Sequence, residues 1–464
     1  MSKAKRKKQF YLLSLGCSKN NVDSESMAAL LAKSGFLAVP EAQAAGIVIV
    51  NTCGFIEEAR QESIGALRQL IATKTKDQLI IAAGCLAQRY GNEVVGWAPG
   101  LDGVIGTRRW MDIVPFIHDL RRRKQPEPLY HLPENALTVG RDERGVVRAA
   151  IQGASAYLKL SDGCRRPCAF CAIPQIKGTH VSRPYQSILR DAVELQAAGV
   201  KELVLIAQDT TDYGHDLGMK NGLAQLLDGL VQAAPDIPWI RLMYAYPGYV
   251  TDELIETMAR HPQILPYLDI PLQHGHRETL KRMRRPANIE WVYQTVEKLR
   301  QAMPTIAIRT TFIVGYPGET DAEFEGLKQF VRDLRFDRFG VFTYSFEAST
   351  PSGALAGPVP EEVKQARRDE LMALQQPISL QRNQALVGQI LPVLIEGYGD
   401  GVSIGRTYRD APEIDGLVFV PGELPIGEIV PIRLDGAMTY DLTGAPVTLP
   451  AHGIAPELAL PMLV

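Results

Sequence analysis

No run of apolar residues in this chain of 464 reaches the roughly 20 needed to cross a bilayer. The basic opening "MSKAKRKKQF" has neither an apolar stretch nor a small-residue cleavage site behind it. A cytoplasmic protein with no membrane partner is expected. An excess of one charge sign is also missing. Fifty Lys and Arg stand against 52 Asp and Glu, a formal net charge of -2, so the chain as a whole is not built as a nucleic-acid coat. The run Lys3, Lys5, Arg6, Lys7, Lys8 reads as a solvated, frayed terminus. Cysteine is scarce, with six residues. In a large chain of a reducing compartment these are not a disulfide framework, and grouped thiols read as metal ligands or redox groups.

What is present is ordinary globular composition, 46% hydrophobic and 22% charged. The length exceeds what one core supports, so two to four domains are expected. From residue 9 to about 120, short apolar runs alternate with amphipathic segments. "QFYLLSLGC" reads as a buried strand, and "VDSESMAALLAKSG" as a helix opening near Asp23 and Ser24 and stopping at Gly35. "GIVIVNTC" then leads into "EEARQESIGALRQLIATK", and "LIIAAGC" into "LAQRYG". This alternation predicts an open parallel α/β sheet in residues 1–125. "RRRKQPEPLYHLPE" introduces a linker, placed at 126–149.

Six further strand candidates follow: "AYLKLSDGC", "KELVLIAQD", "WIRLMYAYP", "YLDIPLQHG", "IAIRTTFIVGYPGE" and "RFGVFTYS". With helical stretches between them, such as "SILRDAVELQAAGV" and "NIEWVYQTVEKLRQA", they predict a partial (β/α)6 barrel over 150–375, with its site on the loops after the strands. After the helix-like "PEEVKQARRDELMALQQ" the texture turns to short β-branched runs broken by Gly and Pro. That predicts a small all-β barrel at 378–449 and a tail at 450–464. The glycines of "GYGDGVSIG" suit hairpin turns in that setting.

The cysteines fall into two triplets. Cys17, Cys53 and Cys85 each end one of the first three strands, the edge of a parallel sheet where ligands bind. One such residue would suit a small buried hydrophobe, whereas three at equivalent strand ends point to a shared metal site. Cys164, Cys168 and Cys171 lie together in "SDGCRRPCAFC". Zinc fits them poorly, because no second close pair of ligands exists nearby. A cubane held by three thiolates leaves one iron open for a substrate or cofactor. Phe170 could shield the cluster or pack on an aromatic ligand, and core packing is the other reading.

Spacings of three and then two residues, with an aromatic before the last cysteine at the end of a barrel's first strand, resemble the radical S-adenosylmethionine (SAM) superfamily. The resemblance implies that the open iron chelates SAM and that the reduced cluster cleaves it to a 5'-deoxyadenosyl radical, hard chemistry that side chains cannot supply. Three strand-end cysteines, then such a barrel, then a TRAM-type β-barrel resemble the layout of the methylthiotransferases. This implies two [4Fe-4S] clusters, the second on Cys17, Cys53 and Cys85 and concerned with sulfur. It also implies an electron donor such as flavodoxin or ferredoxin.

"TTFIVGYPGE" resembles the family's adenine-contacting segment, which makes Ile313, Val314 and Gly315 candidate cofactor neighbours, although Gly315 and Gly318 also suit the turn itself. "LIAQDTTDYG" and "DIPLQHG" resemble further family segments and bring in Gln208, Asp209 and Gln273. Arg309 would pair with the methionine carboxylate of SAM. Structural hydrogen bonding is the alternative for these four. His274 and His276, two apart with no third ligand, make a weak metal set.

Two branches share the layout, one acting on adenosine in transfer RNA and the other on an aspartate of small-subunit ribosomal protein twelve. "GRTYRDAPEIDGLVFV" and "LIAQDTTDYG" resemble the second, the RimO branch. From 378 to 449 four Arg face nine Asp and Glu, so 4 minus 9 gives -5. An RNA-docking barrel should be basic, and an acidic one suits a basic ribosomal protein or serves solubility alone. A non-catalytic iron-sulfur carrier or scaffold is the reading from another class, but it would not need so large and loop-rich a barrel.

Overall fold

The computed structural model describes residues 6–123, 127–133 and 144–447. Lys3, Lys5, residues 126 and 134–143 of the expected linker and the expected tail at 450–464 lie outside them. Among the described residues no helix is long and apolar enough to cross a membrane.

The first sheet has six parallel strands: β1 (Gln9–Ser14), β2 (Leu37–Ala38), β3 (Ile47–Thr52), β4 (Leu79–Gly84), β5 (Gly103–Gly106) and β6 (Leu129–His131), in the order β2-β1-β3-β4-β5-β6. Every residue of β3 is buried, as a parallel strand covered on both faces requires. β6 falls inside the expected linker; three residues with little apolar character carry no strand signal of their own and are recruited by pairing with β5. The helix after β1 spans Ser18–Lys33, opening five residues before Asp23. Asp23 and Ser24 resemble a cap in sequence but are buried inside the helix, where Asp23 meets the next domain.

The central sheet runs β15-β14-β13-β12-β11-β8-β7. Its six parallel strands are β8 (Ser155–Lys159), β11 (Glu202–Ile206), β12 (Trp239–Leu242), β13 (Ile264–Asp269), β14 (Ala307–Val314) and β15 (Arg338–Thr343), and the antiparallel β7 (Ala149–Gln152) flanks β8. A short ribbon of β9 (Ser161–Asp162) and β10 (Val181–Ser182) leaves the mouth beside β8. The outer face packs Leu203, Leu205, Ile308, Phe312 and Val314 against the helices. The inner face presents Tyr157, Val204, Ile206 and Tyr267, which share a core with the third domain.

The helix beginning at Glu361 continues to Gln384 through Pro377, past the expected boundary at 378. Buried Leu371 and Ile378 fasten it to the central core, which compensates for the hydrogen bond a proline removes. A closed five-stranded barrel follows: β16 (Ile390–Gly399), β17 (Val402–Arg406), β18 (Val418–Pro421), β19 (Ile429–Ala437) and β20 (Leu442–Pro446). Asp400 and Gly401, both at positive φ, close the β16–β17 hairpin, as the glycine pattern there suggests.

The segment between β17 and β18 closes the floor of the part-barrel. Arg406 pairs with Glu202 on β11 at 2.7 Å, and Arg241 on β12 donates to the Tyr408 carbonyl at 2.7 Å. Tyr267 on β13 donates to Asp415 at 2.7 Å, Arg309 on β14 reaches the same carboxylate at 3.2 Å, and Arg338 on β15 holds Asp410 at 2.9 Å. Part of the acidic count is thus spent internally. On the described surface of this barrel Glu396, Asp400, Glu413, Glu423, Glu428 and Asp435 are exposed against Arg433 alone.

Candidate functional site

β1, β3 and β4 are neighbours in the first sheet, and their register sets Thr52 beside Gly84, so Cys53 and Cys85 leave the same edge. Cys17, at the N-terminus of the 18–33 helix, joins them. Close approach requires glycine here: Gly16 has φ +93°, and a Cβ on it would lie 2.7 Å from that of Cys53. Asn20 ties the rim together, its amide donating to the carbonyls of Leu15 at 2.9 Å and Thr52 at 3.2 Å, while its oxygen accepts from Cys85 Sγ at 3.6 Å. Burial pushes the Cys85 thiol up to about 12, with Cys17 and Cys53 adding to the rise and Lys177 opposing it. At Cys17, crowding opposes the thiolate, but Lys19 and the N–H groups of Asn20 and Lys19 outweigh it and the thiol is lowered.

The second triplet follows β9. Gly163, at φ +72°, makes the turn, since a Cβ there would sit 2.0 Å from the Thr179 carbonyl oxygen. Burial raises Cys164 to about 11 and Cys171 to about 12, with Cys168 adding repulsion to both. Cys168 Sγ is 3.7 Å from the Tyr246 hydroxyl and 3.4 Å from Arg285 Nη1. Arg166 is anchored by Asp209 at 2.6 Å and stacks on Tyr246 and Tyr249.

The sequence did not reveal that the rim of the first triplet lies against the segment that follows the second. Cys85 packs against Ala172 and Ile176, immediately beyond Cys171. Lys177, the next residue, reaches back into the first domain to Asp23 at 2.9 Å and Thr107 at 3.0 Å. Asp23 and Asp162 together face Arg148, Lys159 and Lys177 in a buried ionic cluster that joins the two rims. Only Asp23 on the first helix and Lys159 on β8 hint at this in sequence.

The candidate cofactor neighbours divide. Phe170 and Ile313 come together around Met283, Tyr316 and Tyr344. Gln208 and Gln273 are half-buried, and neither side chain makes a hydrogen bond among the described residues. Gln273 also has φ +73°, a left-handed conformation costly for a residue with a side chain. Three others are engaged elsewhere in the fold. Val314 alternates with Ile313 and points into the outer core, fully buried. Arg309 is taken by Asp269 at 3.0 Å and by Asp415, at the floor and away from the mouth, which leaves no free fork for a carboxylate ligand. Asp209 is spent on Arg166. Gly315 (φ +70°) turns beneath Lys364, whose side chain would be 2.2 Å from a Cβ. His274 is buried, accepting from the His276 N–H at 2.9 Å.

The donors suit clusters. All six cysteines are free and each triplet is purely thiol, the ligand set of iron-sulfur centres.

Three family models match: the radical SAM superfamily at residues 158–331, uncharacterized protein family UPF0004 at 9–106, and a TRAM domain at 387–447. The ribosomal protein uS12 methylthiotransferase RimO of Chloroflexus aurantiacus is 49% identical over 451 residues, covering 94% of this chain and 99% of that protein. The chain belongs to the RimO methylthiotransferase family. Other RimO proteins agree: that of Thermoanaerobacter sp. is 45% identical over 93% of this chain and 98% of its own, and that of Synechocystis sp. 45% over 93% and 96%. RimO proteins are radical SAM methylthiotransferases, so the chain is an enzyme using SAM and [4Fe-4S] clusters, not a passive carrier. The radical SAM methyltransferase TsrM from Kitasatospora setae, 15% identical, shares the fold with a TM-score of 0.57 over 75% of this chain and 77% of its own. OxsB, a cobalamin-dependent radical enzyme 13% identical, does so at 0.51 over 81% and 56%.

Proposed function

We propose that the chain adds a methylthio group to the β-carbon of an aspartate in ribosomal protein uS12. Cys164, Cys168 and Cys171 hold the radical-generating cluster, and Cys17, Cys53 and Cys85 hold the second. The observation that carries the reading is the packing of Cys85 on the residues that follow Cys171: a radical formed at one rim and sulfur carried at the other can meet on one substrate atom. When bound, the clusters and SAM supply the radical, the methyl group and the sulfur. The chain's own residues do the rest. Tyr246 and Arg285 orient the Cys168 sulfur, Phe170 and Ile313 form an apolar wall for the adenine, and Gln208 and Gln273 offer polar atoms to SAM.

The domain division follows these roles, with residues 1–125 carrying the second cluster, 150–375 the radical site, and the terminal barrel beginning at β16. The acidic surface of that barrel favours a Lys- and Arg-rich protein over transfer RNA, whose phosphates it would repel. A ribosomal substrate places the enzyme in the cytoplasm, with a flavodoxin or ferredoxin as electron donor.

The test is mass spectrometry after incubating anaerobically reconstituted enzyme with SAM, reductant and uS12. A methylthio adduct on one aspartate is expected. Replacing Cys17, Cys53 and Cys85 together should abolish the adduct while SAM cleavage to 5'-deoxyadenosine persists. Modification of transfer RNA instead would reverse the choice of substrate.

A further inference from the structure

We infer that Lys19 reads the carboxylate of the substrate side chain and so sets the preference for an aspartate, an inference that rests on the function proposed above. Lys19 opens the 18–33 helix two residues after Cys17 and is 6% exposed. Among the described residues its ammonium makes no hydrogen bond and no ion pair. It lies over the ring of Tyr244, whose centroid is 3.3 Å away, and its charge also favours the Cys17 thiolate. A ring face attracts a cation but does not replace the hydration that burial removes as an anion would. The neighbouring cations are already matched: Arg89 to Glu347 at 2.8 Å, Arg166 to Asp209 at 2.6 Å and Lys177 to Asp23 at 2.9 Å. Arg285 is spent on the Pro271 carbonyl and Cys168 Sγ. Arg285 also lacks a carboxylate, but Lys19 is the one cation of this group with neither a carboxylate nor a hydrogen bond.

Its place fits the task. Tyr244 lies just past β12 at φ +60°, a strained conformation that fixes the ring over the first-domain rim. Two residues on, the Tyr246 hydroxyl reaches Cys168 Sγ. The stretch 244–246 thus spans from Lys19, beside Cys17, to the radical triplet. In an aspartate the reacting β-carbon is bonded to the carboxylate carbon, so a group that holds the carboxylate must stand between the two rims. Lys19 does. Neutral adenosine would offer it no anion there, and the bare ammonium would disfavour such a ligand.

The experiment uses reconstituted holoenzyme with SAM and two synthetic peptides, one carrying the target aspartate of uS12 and one with asparagine in its place. The wild type should bind the aspartate peptide about tenfold or more tightly than its twin, the size of a charge-assisted hydrogen bond. Lys19→Met should bind both alike, with SAM affinity unchanged and iron content measured alongside because Lys19 also favours the Cys17 thiolate, and Lys19→Arg should keep the preference. General damage to the fold would weaken both peptides together and leave their ratio intact. Lys19→Gln replaces the Met variant if the latter loses its clusters. A preference that survives loss of the ammonium, or a fall in SAM affinity in its place, overturns the inference. So does a wild type that modifies the peptide without discriminating. A wild type that neither binds nor modifies it overturns the function on which the inference rests.

Discussion

Glu319, just beyond β14, is enclosed: one oxygen lies 3.1 Å from Arg367 and the other accepts the Tyr316 N–H at 3.0 Å. Burial outweighs these contacts and lifts its carboxyl from the ordinary 4.5 to about 7. Its neighbour His274 moves the other way, pushed by burial to about 3. The signs differ in consequence. Glu319 binds its proton more tightly folded than unfolded, so its contribution to stability is full below pH 4.5 and is lost as the pH rises through 7. His274 binds its proton less tightly when folded, so its contribution is present above about 6.5 and is lost as the pH falls toward 3. Glu319→Gln should remove the first effect alone. Relative to wild type, the variant should gain about 3 kcal/mol between pH 5 and 8, on the linkage of roughly 1.4 kcal/mol per pKa unit. Loss of the Arg367 contact adds an offset without changing the slope. Denaturation curves of the two proteins across that range check it, and parallel curves would refute the assignment.

At the scale of elements, the first rim depends on how closely β1 and β3 end beside each other. Gly16→Ala would set a methyl 2.7 Å from Cys53 Cβ on a backbone at φ +93°, which must part the two cysteine-bearing turns. After reconstitution, iron and sulfide should fall toward the content of one cluster, while SAM cleavage at the other is kept. Full iron content would show that the rim can adapt. This much was legible in the sequence, because apolar runs ending in cysteine mark both the strand and its functional end. All six strands of the part-barrel were legible as short apolar runs alternating with helical stretches. β2 and β6 were not, since strands of two and three residues are fixed by their neighbours. The pairing of Arg309 with Asp269 and Asp415 was not legible, because a basic residue on a strand tells nothing of which end of the barrel it faces. The first helix was expected to open near Asp23, five residues late, because the partners that bury that carboxylate inside it, Arg148, Lys159 and Lys177, lie more than 120 residues away. Lys19 carries no sequence signal at all; its isolation exists only where two domains meet.

Across the whole molecule, the terminal barrel has two roles that composition merges. Its outer surface is acidic, and its β17–β18 segment is an integral part of the catalytic barrel's floor. Glu202 is the centre of that floor, fully buried, with Arg241 and Arg406 each 2.7 Å away and Ser155 donating at 2.7 Å. Burial opposes its charge, but the two guanidinium groups prevail and hold the carboxyl at about 2. A depressed carboxyl contributes stability that is present above its ordinary 4.5 and is lost as the pH falls toward 2. Glu202→Gln leaves two buried guanidinium groups short of charge and should cost about 3–5 kcal/mol, the range for breaking a buried pair from one side. Because Arg406 belongs to the terminal barrel and Arg241 to the central one, the loss should loosen their junction first. Limited proteolysis near neutral pH should then cut the variant between the 361–384 helix and β16 at protease levels the wild type withstands. The acid-induced loosening of the wild type below about pH 4.5 should be blunted in the variant, which has no carboxylate there to protonate. Equal resistance of both proteins at pH 7 would mean that the floor is held by apolar contacts such as Tyr408, Ala411 and Leu391 against Tyr267 and Trp239, and that its ion pairs only set register.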